Sequence, residues 1–245
     1  SGRKKVILVD HNERNQAVNG IEDTEILEII DHHRLGPIQT ITPVFFRNQP
    51  LGCTGTIIYK MYQEAGIEIE PVIAGLMCSA IISDTLIFKS PTCTTDDIEA
   101  ATELARIAGI DPEVYGREMF GAGSNLDEKT DREIFYQDFK KFTINDVTIG
   151  IGQANAMGPE DIEKIKLKEL PFIDTVVGDG GLDVVYFLMT DISAECSYVL
   201  CSGKNADTIM TLSFGVDKQK DTYILKNVVS RKKQFLPAIM EAMEQ

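Results

Sequence analysis

Tryptophan is absent from this 245-residue chain, aromatics make up only 7% of it, and histidine occurs three times. Basic residues are scarce beside acidic ones, 24 against 38, which leaves a formal net charge of -14. A field of that sign repels nucleic acid and anionic membrane surfaces, so neither is an expected partner. An anionic substrate then requires a local cluster of cations. No apolar run is long enough for a bilayer. The longest, Val72 to Phe88, is broken by Ser79, Ser83 and Asp84 and predicts a buried helix. No C-x-x-C occurs among Cys53, Cys78, Cys93, Cys196 and Cys201. An odd number at irregular spacing predicts reduced thiols in the cytoplasm, not a disulfide framework or zinc knuckle, although Cys196 and Cys201 could face each other in a hairpin. The first residues form no charged, apolar, small-residue leader. Also missing are G-x-S-x-G and a phosphate loop. Gly178-Asp179-Gly180-Gly181 has neither the lysine nor the following helix, and reads as a turn.

What is present is a globular composition, 43% hydrophobic and 25% charged. Val6 to Val9 and Ile26 to Ile30 are short apolar strands, each ending in Asp and His. Pro43 to Gly52 reads as loop, Thr54 to Ala65 as helix, and Pro71 opens the apolar helix reaching Asp84. Thr94 caps a helix that ends near Gly109, and Pro112 starts another. Phe120 to Ser124 is the candidate linker. Beyond it Asn145-Asp146 joins two strands of a hairpin, 139–144 and 147–153. A charged amphipathic helix spans Pro159 to Leu170, and Leu182 to Met189 is a buried strand. Shorter strands are expected at Cys196 to Cys201 and Thr208 to Phe214, and a helix at Gln234 to Met243. The expectation is two α/β domains, residues 1–121 with a parallel sheet and residues 122–245 with a mixed sheet.

All three histidines, His11, His32 and His33, lie beside Asp10 and Asp31 at two strand ends. In an open parallel sheet, sites form at the carboxyl ends of strands. Asp84, within an apolar helix, is costly to bury without a cation or partner, although a helix-capping role is the plainer alternative. A mixed imidazole and carboxylate set suits Mn²⁺, with Mg²⁺, Co²⁺ and Zn²⁺ as substitutes. Two such ions would supply a hydroxide nucleophile near neutral pH. In so acidic a chain, Ser230-Arg231-Lys232-Lys233-Gln234 is a candidate anion site, with a solvated helix start as its alternative. Lys140-Lys141 adds two cations where exposed hairpin lysines are also common.

In chain order, Val9-Asp10-His11-Asn12-Glu13, Asp31-His32-His33-Arg34, Ser83-Asp84 and Ser230-Arg231-Lys232-Lys233-Gln234 resemble motifs of the family II, manganese-dependent inorganic pyrophosphatases of the DHH phosphoesterase superfamily. The resemblance covers nearly the whole chain. It implies that Asp10 and Asp84 bridge two metal ions, that His32 is a ligand, and that His33 contacts substrate. It implies that Lys140 meets the electrophilic phosphate, with Lys141 as competitor, and that Arg231 and Lys232 bind phosphate. The implied reaction is hydrolysis of pyrophosphate to two phosphates by a metal-activated hydroxide at a site between the domains. A homodimer through the first domain's sheet edge is implied as well.

One departure shapes the expectations. The family's opening His-x-Asn-Pro-Asp-x-Asp motif is absent, and Lys4 to Val9 leads straight into a strand after Ser1-Gly2, which resembles a tag remnant. Some members carry a regulatory nucleotide-binding insert just before this strand. The chain is therefore expected to be the C-terminal part of such a member, with an incomplete first domain and at most one well-bound metal. The competing functions are a DHH phosphodiesterase on short oligonucleotides or cyclic dinucleotides, and a non-catalytic metal- or anion-binding fragment. The phosphodiesterases end in a glycine-rich motif with a His, and no His follows His33.

Overall fold

The computed structural model describes residues 3–124 and 126–244, leaving aside the side chains of 123 and 124. The expectation about Ser1-Gly2 lies outside the described residues. The chain divides into two compact units, residues 1–116 and 117–245.

In the first unit, β1 (Lys5–Val9), β2 (Glu25–Asp31) and β3 (Phe45–Asn48) form a parallel sheet in that order. β3 corrects the loop expected from Pro43 to Gly52. It is an edge strand, where flanking prolines cost no ladder hydrogen bond, so they misread as loop signals. Leu8, Ile21, Ile26 and Ile29 form a small core under this sheet. Helices α1 (Thr54–Ala65), α2 (Pro71–Asp84) and α3 (Thr95–Ala108) follow. A full capping box at Thr94 and Asp97 starts α3, and left-handed Gly109 ends it. The expectation that α2 is buried needs correction. Ala74, Cys78, Ile81 and Ile82 are buried, but Val72 and Leu76 are 74% and 64% exposed.

Helix α4 (Pro112–Ser124) absorbs the expected linker, because its glycines continue the helix. In the second unit, α5 (Asp131–Tyr136) precedes the hairpin β4 (Phe139–Ile144) and β5 (Val147–Ala156). Asn145 and Asp146 turn it at φ 47° and 63°, as a two-residue primed turn requires. Strands β6 (Val184–Asp191), β7 (Cys196–Gly203) and β8 (Tyr223–Lys226) complete a mixed five-stranded sheet in sequence order, with β5 and β6 parallel. Alternation along β6 builds two cores. Val185, Phe187 and Met189 meet α6 (Pro159–Val176), while Val184, Tyr186 and Leu188 meet α7 (Ala206–Phe214) and α8 (Leu236–Glu244).

Helix α7 corrects the strand expected at Thr208 to Phe214. Its β-branched residues favour a strand in isolation, but Ala206 and Met210, one helical turn apart, are buried against the sheet. Cys196 and Cys201 sit on one strand, not across a hairpin, and all five cysteines are free. No helix among the described residues is long and apolar enough to cross a membrane.

Candidate active site

The parallel register of β1 and β2 pairs Val9 with Ile30, which sets Asp10 beside Asp31 and His32 at the carboxyl end of the sheet. Asp10 keeps the ladder through its N–H to the Ile30 carbonyl at 2.9 Å, then turns out of the sheet at φ 67°. Such left-handed backbone is tolerated by Asp better than by most residues.

Asp31 is fully buried and organises both histidines. It accepts from the His32 N–H at 2.8 Å, the His33 N–H at 3.1 Å and His33 Nδ1 at 2.8 Å. Its other oxygen accepts from Asn12 Nδ2 at 2.5 Å. Burial alone would raise the Asp31 carboxyl, but the bonds from His33 and Asn12 outweigh it and hold the pKa below its ordinary value. Asn12 also donates to the Arg34 carbonyl and accepts from the Gly36 N–H, tying the two strand-end loops together.

His32 Nδ1 lies 2.9 Å from the Leu51 carbonyl, which can only accept, so that nitrogen carries the proton. In the neutral ring Nε2 is then a bare acceptor, and it faces the Asp10 carboxylate at 3.6 Å. Two acceptors in that arrangement fit a shared cation. The ligating atoms of Asp10, His32 and His33 lie within 4.8 Å of one another. Asp84, at the end of α2, couples electrostatically to all three. Crowding by protein atoms raises its carboxyl above the ordinary range, a bond with Cys53 opposes this, and the Asp10 charge adds to it. Among the described residues, His11 does not join this group. Its Nδ1 lies 3.0 Å from the Val9 carbonyl, and its Nε2 is buried without a partner.

The cations of the second unit separate by their partners. Lys141 donates to the Gly180 carbonyl at 2.6 Å. Lys140 alternates to the other face of β4, is exposed, and makes no hydrogen bond or ion pair among the described residues. Arg231 Nη2 donates to Asp138 Oδ1 at 2.8 Å, while Nη1 donates to the Asp138 carbonyl at 2.6 Å. Nη1 also reaches the carbonyl of Ile151, the register partner of Lys140, so Arg231 and Lys140 share one region of the sheet. Residues Arg231–Phe235 form a π-helical turn. Ser230 Oγ accepts from the Lys233 N–H, and Gln234 Oε1 accepts from the Val229 and Ser230 N–H groups. The serine and glutamine of this motif thus shape the turn, and Lys232 stands exposed on it.

Asp31 was legible as a carboxylate closing an apolar strand. Cys53, Thr54 and Asp138 escaped the sequence reading, since their contacts with Asp84, Asp10 and Arg231 run across the fold.

These features, with donors at parallel strand ends and cations on a mixed-sheet unit, define a two-domain phosphoesterase of the DHH class. The model of the DHH family N-terminal domain matches residues 2–81, and that of the DHHA2 domain matches residues 117–242. A probable manganese-dependent inorganic pyrophosphatase of Clostridium acetobutylicum is 46% identical over 244 residues, covering 100% of this chain and 78% of that protein. The manganese-dependent inorganic pyrophosphatase of Bacillus subtilis is 46% identical, covering 97% of this chain and 77% of its own length. A cobalt-dependent inorganic pyrophosphatase of Clostridium perfringens is 48% identical over 98% of this chain and 43% of that protein. A Methanococcus jannaschii crystal structure assigned to family II inorganic pyrophosphatases aligns with TM-score 0.77 and 36% identity, covering 99% of this chain and 81% of that one. The chain belongs to the family II inorganic pyrophosphatases. The expectation of a C-terminal piece of a regulated member, with an incomplete first domain, is overturned. The DHH N-terminal model aligns from residue 2, and relatives named simply as manganese-dependent pyrophosphatases align over 97% to 100% of the chain.

Proposed function

We propose that this chain hydrolyses inorganic pyrophosphate to two phosphates. Asp10, His32 and Asp84 hold the metal, and His33, Lys140, Arg231 and Lys232 meet the substrate. The observation that carries this reading is the bare His32 Nε2 facing the Asp10 carboxylate at 3.6 Å, in a chain of this family. The imidazole and carboxylate donors suit Mn²⁺, with Co²⁺ or Mg²⁺ as substitutes. Relatives are named for manganese and for cobalt. A divalent ion bound there lowers the pKa of a water toward neutrality and offsets phosphate charge.

The chain's own residues supply the rest. Asp31 takes the His33 Nδ1 proton in a hydrogen bond, so Nε2 is the nitrogen left for substrate. Arg231, oriented by Asp138, presents a planar fork to phosphate oxygens, and Lys140 and Lys232 add point charges. In a chain of charge -14 these cations are what make a multiply charged anion bindable. Residues 1–121 then serve as the metal-binding domain and residues 122–245 as the substrate-binding domain. Free thiols support a cytoplasmic setting. The β1 sheet edge, with Ile7 51% exposed, supports a homodimer.

The test is phosphate release from pyrophosphate with Mn²⁺ or Co²⁺, before and after chelation, beside hydrolysis of a dinucleotide. Pyrophosphate turnover that chelation abolishes and Mn²⁺ restores is expected. Preferential cleavage of the dinucleotide would assign a phosphodiesterase instead. Metal binding without turnover of either would leave a binding role.

A further inference from the structure

One four-residue segment, Leu51 to Thr54, touches all three proposed metal ligands. The Leu51 carbonyl accepts from His32 Nδ1 at 2.9 Å. The Cys53 thiol shares a hydrogen bond with Asp84. Thr54 Oγ1 donates to Asp10 Oδ1 at 2.8 Å. Cys53 and Thr54 are buried, so these two partners are held where water competes little.

The segment is itself anchored. Asp97, in the first turn of α3, has no exposed surface. It accepts from the Gly52 N–H at 2.8 Å, Thr56 Oγ1 at 2.5 Å, the Thr94 N–H at 2.8 Å and Thr94 Oγ1 at 2.6 Å. A Cβ at Gly52 would lie 2.7 Å from Asp97 Oδ2 and 2.9 Å from Thr85 Cγ2, so only glycine lets the segment approach this anchor.

Of the three contacts, that of Thr54 has the most to do. Asp10 has left the sheet at φ 67°, and its side chain is 54% exposed. A carboxylate so placed rotates freely unless one oxygen is tethered. The Thr54 hydroxyl supplies that tether, donating to the oxygen that faces His32 and leaving its second lone pair. Outer partners of this kind orient a ligand, and their loss weakens metal binding.

We infer that Thr54 is a positioning residue of the metal centre, whose hydroxyl, kept in place through the Asp97 anchor, orients the Asp10 carboxylate and sets metal affinity. The inference rests on the metal-centre reading above. The experiment is equilibrium Mn²⁺ binding to metal-stripped protein, followed by the paramagnetic resonance signal of free Mn²⁺, for wild type, Thr54→Val, Thr54→Ala, Thr54→Ser and His32→Ala. Metal-free thermal unfolding is run on each.

Thr54→Val and Thr54→Ala are expected to raise the dissociation constant about 10- to 100-fold, with Thr54→Ser close to wild type. Metal-free melting should hardly move in the three Thr54 variants, which separates a loss of metal affinity from a loss of fold. Wild-type affinity in Val or Ala overturns the inference, as does a Ser variant no tighter than Val. If the Val variant does not fold, the Ala and Ser pair decides by the same criterion. Undiminished affinity in His32→Ala sinks the metal-centre reading itself, whatever Thr54 does.

Discussion

Asp138 grips Arg231 at two points, its carboxylate taking Nη2 at 2.8 Å and its carbonyl taking Nη1 at 2.6 Å. The guanidinium side chain is only 11% exposed, so the fork is held in one orientation. An unrestrained arginine must give up rotamer freedom of about 2 kcal/mol on binding. Asp138→Ala is therefore expected to raise the KM for pyrophosphate about tenfold, with a smaller loss in kcat. Arg231→Lys removes the fork itself and should lower kcat/KM roughly 100-fold. Steady-state kinetics check both, and an unchanged KM in Asp138→Ala would refute the orienting role.

Asp31 accepts three bonds from the two histidines and one from Asn12 while fully buried. An amide in its place turns one acceptor into a donor facing donors. Asp31→Asn should lower unfolding free energy by about 2–4 kcal/mol. It should also reduce Mn²⁺ affinity, because both histidines lose their common anchor. Urea unfolding and metal titration of the same variant test the two effects together.

Glu169 of α6 is buried, and among the described residues neither carboxylate oxygen has a hydrogen-bond partner. Burial, with the Asp131 charge adding, pushes its pKa up to about 8 from an ordinary 4.5. The sign follows from proton binding. Below the ordinary value both states are protonated and stability is fully present. Between there and about 8 only the unfolded state ionises, so stability falls by on the order of 1.4 kcal/mol per pH unit. Glu169→Gln should remove that decline, matching wild type near about pH 4 and exceeding it near about pH 8. A variant less stable than wild type at the higher pH would show that the carboxylate is stabilised there.

Phe135 has no exposed surface and meets the rings of Tyr136, Phe139, Phe172 and Phe187 at centroid distances of 5.1, 5.7, 5.7 and 5.2 Å. In a chain without tryptophan this is the densest aromatic packing of the second unit. Phe135→Ala should cost about 3–5 kcal/mol, and Phe135→Leu less, by the cavity each leaves. Calorimetric melting measures both.

Local patterns made much of this legible. A strand that ends in Asp and His already says that polar side chains leave the sheet there, so Asp10 and His32 stood out without a structure. The capped helix at Thr94 and the Asn145-Asp146 turn follow from short-range chemistry in the same way. What failed were segments whose partners lie far along the chain. β3 exists because β2 offers it a ladder. Residues 206–214 are helical because a sheet face accepts Ala206 and Met210.

The sequence by itself determined the sign of the protein's field, the strand ends bearing ligand types, and the basic run near its end. Each depends on composition or on residues a few positions apart. Only the tertiary structure decided which of three histidines join Asp10, that Lys141 is engaged while Lys140 makes no hydrogen bond or ion pair among the described residues, and that Thr54 and Asp138 hold Asp10 and Arg231. The engagement of Lys141, Asp10 and Arg231 rests on hydrogen bonds between residues 39 to 93 positions apart, and such pairings are set by packing, which no local pattern encodes.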